Sequence, residues 1–253
     1  MRKPVFFVVF LALAQLLLAQ QSGETVRGDF VIRDKTLVRY TGKEQVTLII
    51  PANLELTEIG SGAFLRSNLK NIKVPEGVTT IAADAFAYSK LEAIQLPSTL
   101  RVIGEKAFYG CKDLPSIVLP PATTRIGQAV FCYSGLTQII LPKQLRIIDQ
   151  FMFYECTNLT SIALPESLLE VKDSAFYKAG LTRITFNEGL TSIGNDAFSQ
   201  CVGLAGLILP ASLASIGDRA FAGCTKVQTI RVSTNTALGP DAFQGIRARP
   251  TFF

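Results

Sequence analysis

A chain of 253 residues, 48% apolar and only 18% charged, has ample material for a buried core, and it contains no histidine and no tryptophan. Its formal charge of +5 falls to +3 if Arg2 and Lys3 leave with an N-terminal leader, a surplus too small and too scattered for the concentrated basic stripe that nucleic acid requires. The lack of histidine removes the Ser-His and Cys-His nucleophile pairs and the commonest general base, and no G-x-S-x-G, Walker or dinucleotide glycine pattern occurs, so the sequence reads as non-catalytic and free of cofactors.

The chain opens with MRKP, then VFFVVFLALAQLLLA, then QQSGE. A positive start, a short apolar run and a polar exit read as a secretory signal peptide over residues 1–20, cleaved near Ala19–Gln21, with Ala12-x-Ala14 as the competing site. A spanning helix needs about 20 apolar residues, and Gln15 interrupts this run, so an uncleaved membrane anchor is the alternative reading. No cysteine follows the apolar run, which disfavours a lipid anchor. The expected localisation is outside the cytoplasm of a bacterium: cell surface, periplasm or medium. Residues 21–58 then read as an N-terminal cap. GDFVIRDKTLVRYTG places two apolar runs around Arg33-Asp34-Lys35, the pattern of a hairpin, and VTLIIP supplies a first, incomplete repeat strand.

Residues 59–243 repeat. Phe64, Phe86, Phe108, Phe131, Phe153, Phe176, Phe198, Phe221 and Phe243 are spaced by 22 or 23 residues, so nine of the seventeen phenylalanines share one register. Five residues before each stands an aliphatic (Ile59, Ile81, Ile103, Ile126, Ile148, Val171, Ile193, Ile216, Leu238), followed in six copies by glycine. After each Phe comes L-x-x-[IL]-x-[LVF], whose alternation is that of a half-buried strand. Proline closes most of these strands, having no N–H for a ladder. The G-x-x-A-F segment is too short for a full helix and is expected to form one helical or 3-10 turn.

One such unit cannot bury its apolar residues alone, whereas stacked copies can, with each Phe layered on the next. The period and the strand phrase predict an α/β repeat solenoid of the leucine-rich-repeat kind: a right-handed coil, a parallel sheet on the concave face, helical or 3-10 turns opposite, and the N-terminal hairpin as cap. A parallel β-helix is the alternative, and it offers no reason for the fixed Phe and the aliphatic five residues earlier.

The phrase I-G-x-x-A-F-x-x-C-x-x-L-x-x-I-x-L-P resembles the BspA-like, treponemal type of leucine-rich repeat found in bacterial surface proteins. The likeness covers roughly residues 45–243 and departs in places: Thr123 and Asn235 replace the inward aliphatic, Asn187 and Ser233 the proline, and Val130 and Met152 the alanine. The resemblance implies an adhesin that contacts host matrix proteins such as fibronectin, or other cells. A structural or periplasmic component that orders an envelope assembly is the competing reading. Residues 244–253 form an irregular last strand or tail, and the chain is expected to be a monomer or a dimer joined through that C-terminal strand. Membrane contact is expected only through the leader or a weak peripheral association.

Four of the five cysteines (Cys111, Cys156, Cys201, Cys224) stand three residues after the Phe, where other copies carry Ser67, Ser89 or Ala179, and Cys132 stands one residue after its Phe. They read as buried thiols packing as small hydrophobes. Within the register-sharing four, only Cys201 and Cys224 fall in neighbouring coils, within reach of a disulfide. With no C-x-x-C pair and no histidine, zinc is disfavoured. The acids Asp84, Asp196 and Asp241, two residues before the Phe, read as solvated surface.

Function must then lie in the positions that the repeat leaves free. The residues after the central strand aliphatic run Lys73, Gln95, Val118, Ile140, Ala163, Thr185, Ile208 and Arg231. Val118, Ile140, Ala163 and Ile208 form a largely apolar middle column, beside Gln138 and with Arg183 and Arg231 at its border. Two readings stand open: β-branched residues simply suit strands, or the column is an exposed apolar patch that contacts a protein.

Overall fold

A computed structural model describes residues 23–42 and 46–253. The leader expected over residues 1–20 lies outside the described residues, and among those described no helix is long and apolar enough to cross a membrane.

Most coils carry two parallel ladders where the sequence pattern showed one. The expected strand of L-x-x-I-x-L is present as Thr47–Ile49, Asn71–Lys73 and Ala93–Gln95, as Ser116–Val118 with Gln138–Ile140, and as Gly206–Ile208, Thr229–Val232 and Pro250–Phe252. Within each of these three groups the strands pair in parallel with no slip, so Leu48, Ile72 and Ile94 face inward in line, as do Ile117 and Ile139. Residues 161–164 and 183–186 continue the path without strand pairing, so the ladder is interrupted there. A second ladder of two-residue strands runs through the aliphatic five before each Phe, from Glu58–Ile59 to Arg125–Ile126 and from Ile147–Ile148 to Ala237–Leu238.

At the N-terminal side, β1 (Thr25–Arg27), β2 (Phe30–Arg33) and β3 (Thr36–Tyr40) form an antiparallel meander turned at Asp34 and Lys35, both in the left-handed region. Its last strand pairs in parallel with Glu58–Ile59, so the meander extends the second ladder. Phe30 and Tyr40 continue the aromatic stack beyond Phe64, with centroids 5.4 and 5.8 Å apart.

The expected helical turns are absent. The one helix among the described residues is the 3-10 turn Ala52–Leu54, and the G-x-x-A-F segments are turns that bond outward to the next coil. In one such segment, Ala85, Ala87 and Ser89 donate their N–H groups to carbonyls three residues back, while Asp84, Phe86 and Tyr88 donate to Glu105, Ala107 and Tyr109 of the next coil at 3.0, 2.9 and 2.7 Å. The cause is a backbone alternation. The residues two before and two after every Phe of the comb lie in the left-handed region, whether glycine (Gly62, Gly110, Gly223, Gly245) or not (Asp84, Tyr88, Lys106, Asp196, Asp241). Reversing every second residue turns every second N–H across to the neighbour, which a helix cannot do. Aspartate tolerates this region better than most residues, so the Asp84, Asp196 and Asp241 register has a backbone reason besides solvation.

The glycine after the aliphatic also has a packing reason. A Cβ on Gly127 would lie 2.7 Å from the Glu105 nitrogen and 3.0 Å from its Cα, so only hydrogen lets neighbouring coils approach there. The prolines end each strand and also begin the next turn: the carbonyls of Pro97, Pro120, Pro142, Pro165 and Pro210 accept from the N–H three residues on.

The core is the Phe comb. Phe86 to Phe221 are fully buried, and consecutive rings from Phe64 to Phe243 stack within 15° of parallel with centroids 5.0–5.7 Å apart. All five cysteines are buried free thiols, Cys201 and Cys224 included. The Sγ of Cys111, Cys156, Cys201 and Cys224 donates to the carbonyl of Phe86, Phe131, Phe176 and Phe198 in the coil before, at 3.0–3.2 Å. Burial pushes Cys111 and Cys156 up to about 11, and Cys132 and Cys224 up to about 12.

Two departures from the repeat are resolved by the fold. Thr123 is buried where a leucine is expected, and its hydroxyl donates to the Leu100 carbonyl. In the last coil the inward residue is Thr236, not Asn235: Thr236 is buried, donates to the Leu213 carbonyl, and closes the turn that Ser233 opens. That coil is one residue short between turn and strand, since Ala237 pairs with Ser215.

Candidate functional site

The alternation that buries Ile117, Ile139 and Leu207 turns their successors outward. Val118, Ile140 and Ile208 expose 61%, 62% and 68% of their surface, values that exclude any role in the core. Val118 and Ile140 are register partners, so their side chains stand side by side about 4.8 Å apart along the stack. Ile208 pairs with Arg231, whose guanidinium lies 5.3 Å over the ring of Phe253. Gln138 pairs with Ser116 two residues before the Val118–Ile140 pair and is exposed. Ala163 and Arg183 are also exposed, in the two coils where strand pairing lapses.

The column thus contains Val118 and Ile140 as adjacent partners, the small Ala163, and Ile208 next to Arg231. Sequence reasoning missed one member. Ile49, 65% exposed, occupies the same outward register at the N-terminal side, in the separate ladder where it pairs with Lys73. VTLIIP holds the signal, being the same strand phrase with its proline, but it precedes the first full repeat, where the repeat register does not reach.

Elsewhere the surface polar groups serve the backbone. Asp173 Oδ1 accepts from the Asn195 N–H at 2.7 Å, and Asn195 Oδ1 from the Asp218 N–H at 2.8 Å. Arg219 forms a bidentate pair with Asp196. These residues line or adjoin a shallow groove of about 320 Å³ over the second ladder. Among the described residues no group of three His, Cys, Asp or Glu is placed to hold a metal ion. What this surface can do chemically is bury apolar area against another molecule.

The family model for the BspA type leucine rich repeat region matches residues 40–150 and 124–248, with six copies. Among solved structures, the chain is similar to a leucine-rich repeat protein from Bacteroides ovatus, with 26% identity and a TM-score of 0.74 over 88% of this chain and 59% of that one. The chain therefore spans less than two thirds of that protein. The leucine-rich repeat protein of T. pallidum is 28% identical with a TM-score of 0.63, covering 72% of this chain and 86% of that one. The pneumococcal vaccine antigen PcpA shares the fold at 21% identity and a TM-score of 0.56, over 90% of this chain and 70% of that one. No curated protein matches the chain in sequence.

Proposed function

Because the chain belongs to the BspA type leucine-rich repeat family, we propose that it is an exported, non-catalytic protein that binds other proteins at a bacterial cell surface, through the apolar column on its first ladder. The observation that carries this reading is the run of aliphatic side chains left in water at Val118, Ile140 and Ile208 on a framework whose other aliphatics are mostly buried. β-propensity accounts for a branched residue in a strand, but adjacent coils set Val118 beside Ile140 and lead on to Ala163, with Thr185 standing before Ile208. Apolar stripes with polar ends mark contact surfaces more often than chance exposure does. Burying two or three of these side chains contributes about 1.5–3 kcal/mol each before the costs of association.

The partner class is an extracellular protein, and the adhesin reading names a host matrix protein such as fibronectin. Similarity to bacterial leucine-rich repeat proteins supports it. The test is a Val118→Glu, Ile140→Glu double variant over immobilised fibronectin, with native folding checked by circular dichroism. A loss of affinity of about tenfold or more is expected, since two carboxylates would have to be desolvated. Unchanged affinity would move the contact elsewhere, and no binding by the unaltered chain would remove the matrix ligand.

A further inference from the structure

Five of the six tyrosines lie on five successive coils, one or two residues after the Phe: Tyr88, Tyr109, Tyr133, Tyr154 and Tyr177. They form a second aromatic ladder, outside the core, with centroid steps of 5.1, 5.5, 5.6 and 4.8 Å. The first three contacts are edge-to-face (66–70°) and the last is stacked. Backbone alternation produces the zigzag. Tyr88 and Tyr133 occupy the left-handed position two after the Phe, whereas Tyr109, Tyr154 and Tyr177 stand one after it. Tyr88 and Tyr133 are exposed and the other three half-buried.

The fold does not need these rings. The same two positions hold Ser199 and Gln200 or Ala222 and Gly223 in later coils, which close with the same hydrogen bonds. The ladder is a local specialisation of the surface. Cations flank both ends, with the Arg66 guanidinium 5.7 Å over Tyr88 and the Lys178 ammonium 5.4 Å over Tyr177. Lys178 is paired with Glu155, and Lys106 with Glu105. Arg66 has no carboxylate in ion-pair range among the described residues.

We propose that the tyrosine ladder docks an extended, proline-rich segment of a partner protein in polyproline II conformation, with an acidic residue at the Arg66 end. The period favours it. Tyr88 and Tyr133 share one register two coils apart, a distance of about 9.6 Å at ~4.8 Å per coil. A polyproline II turn of three residues advances about 9.3 Å, so residues three apart can meet equivalent rings at Tyr88 and Tyr133, and again at Tyr109 and Tyr154. The edge-to-face rings are in contact and form one corrugated aromatic surface, on which proline rings can lie as they do on the aromatic platforms that read such segments. Polyproline II has no internal hydrogen bonds, so its carbonyls are free to accept from the phenols. Phenols are protonated at neutral pH, so the tyrosine hydroxyls can serve as these donors.

This site is separate from the Val118 column, and the test keeps the two apart. The ladder spans four coil steps, about 19 Å, which a peptide of about ten residues covers with overhang. Glutamate followed by three Pro-Pro-Ala triplets is therefore titrated against the full chain, with tyrosine fluorescence as the readout because the chain has no tryptophan. Saturable binding is expected. A Tyr109→Ala, Tyr133→Ala variant should bind about tenfold more weakly, and the Val118→Glu, Ile140→Glu variant as well as the unaltered chain. Arg66→Glu, an exposed change that leaves the rings in place, should weaken this peptide and restore binding to one that begins with lysine. The proposal fails if the unaltered chain does not bind, if a Gly-Ser peptide of equal length and charge binds equally, if a β-linked glucose oligosaccharide binds in its place, or if the Arg66→Glu charge swap has no effect.

Discussion

Replacing Phe131 with alanine removes a ring that is fully buried between Phe108 at 5.6 Å and Phe153 at 5.7 Å, both within 10° of parallel. Burial of such a side chain stabilises by about 1.5–3 kcal/mol, and two ring pairs add roughly 0.5–1.5 kcal/mol each. The coils cannot close over the gap, because their spacing is fixed by the Phe108 N–H on the Val130 carbonyl and the Phe131 N–H on the Met152 carbonyl, both 3.0 Å. A cavity therefore persists, and the loss should fall at about 3–5 kcal/mol, toward the upper end. Phe243 provides the internal contrast. It is only half-buried and stacks on Phe221 alone, so Phe243→Ala should cost about 1–2 kcal/mol. Urea unfolding followed by far-ultraviolet circular dichroism measures both, with the slope examined for each because stacked repeats can unfold in parts. A loss at Phe131 below about 1 kcal/mol, or equal losses at the two positions, would refute the layered-core reasoning.

The thiols should alkylate in denaturant without prior reduction and resist alkylation in the native protein; a disulfide recovered between Cys201 and Cys224 would contradict the fold. Their raised values also set a pH dependence. The folded chain holds these protons more tightly than the unfolded one, so their contribution is full below the ordinary 9.0 and is lost as pH rises through about 11 for Cys111 and Cys156 and about 12 for Cys132 and Cys224. The urea midpoint should fall between about pH 8 and about pH 10.5, and fall less in a Cys111→Ala, Cys156→Ala variant. Gly127→Ala should destabilise by about 1–3 kcal/mol, because its Cβ meets the backbone of Glu105 rather than a movable side chain; a neutral result in the same urea assay would show that the coils can separate.

The core was legible because its signal is periodic. A Phe every 22 or 23 residues can only be layered, and the rings lie where that period puts them. The outward strand positions were legible for the same reason, since period-2 alternation assigns both faces at once. The second ladder left no such trace, because its strands are two residues long and show one inward aliphatic each. The turn conformation was hidden by its residues: left-handed positions filled by Lys106, Ala129, Phe151 or Arg219 carry no glycine signal, and only the neighbouring coil's carbonyls hold them there. The tyrosine ladder escaped because its members are divided between two register positions, which become one line only once the left-handed turn brings them together. Thr236 was misplaced by one residue because the last coil is shortened inside a turn, where hydrophobic pattern is silent.

The proposed function requires the Val118–Ile140 face to be a contact surface displayed outside the cell. Antibodies selected to bind the unaltered chain but not the Val118→Glu, Ile140→Glu variant test it most directly, applied to intact and to permeabilised cells. Labelling of intact cells is the predicted result. Labelling that requires permeabilisation would contradict display and leave the solenoid as an internal component of the envelope.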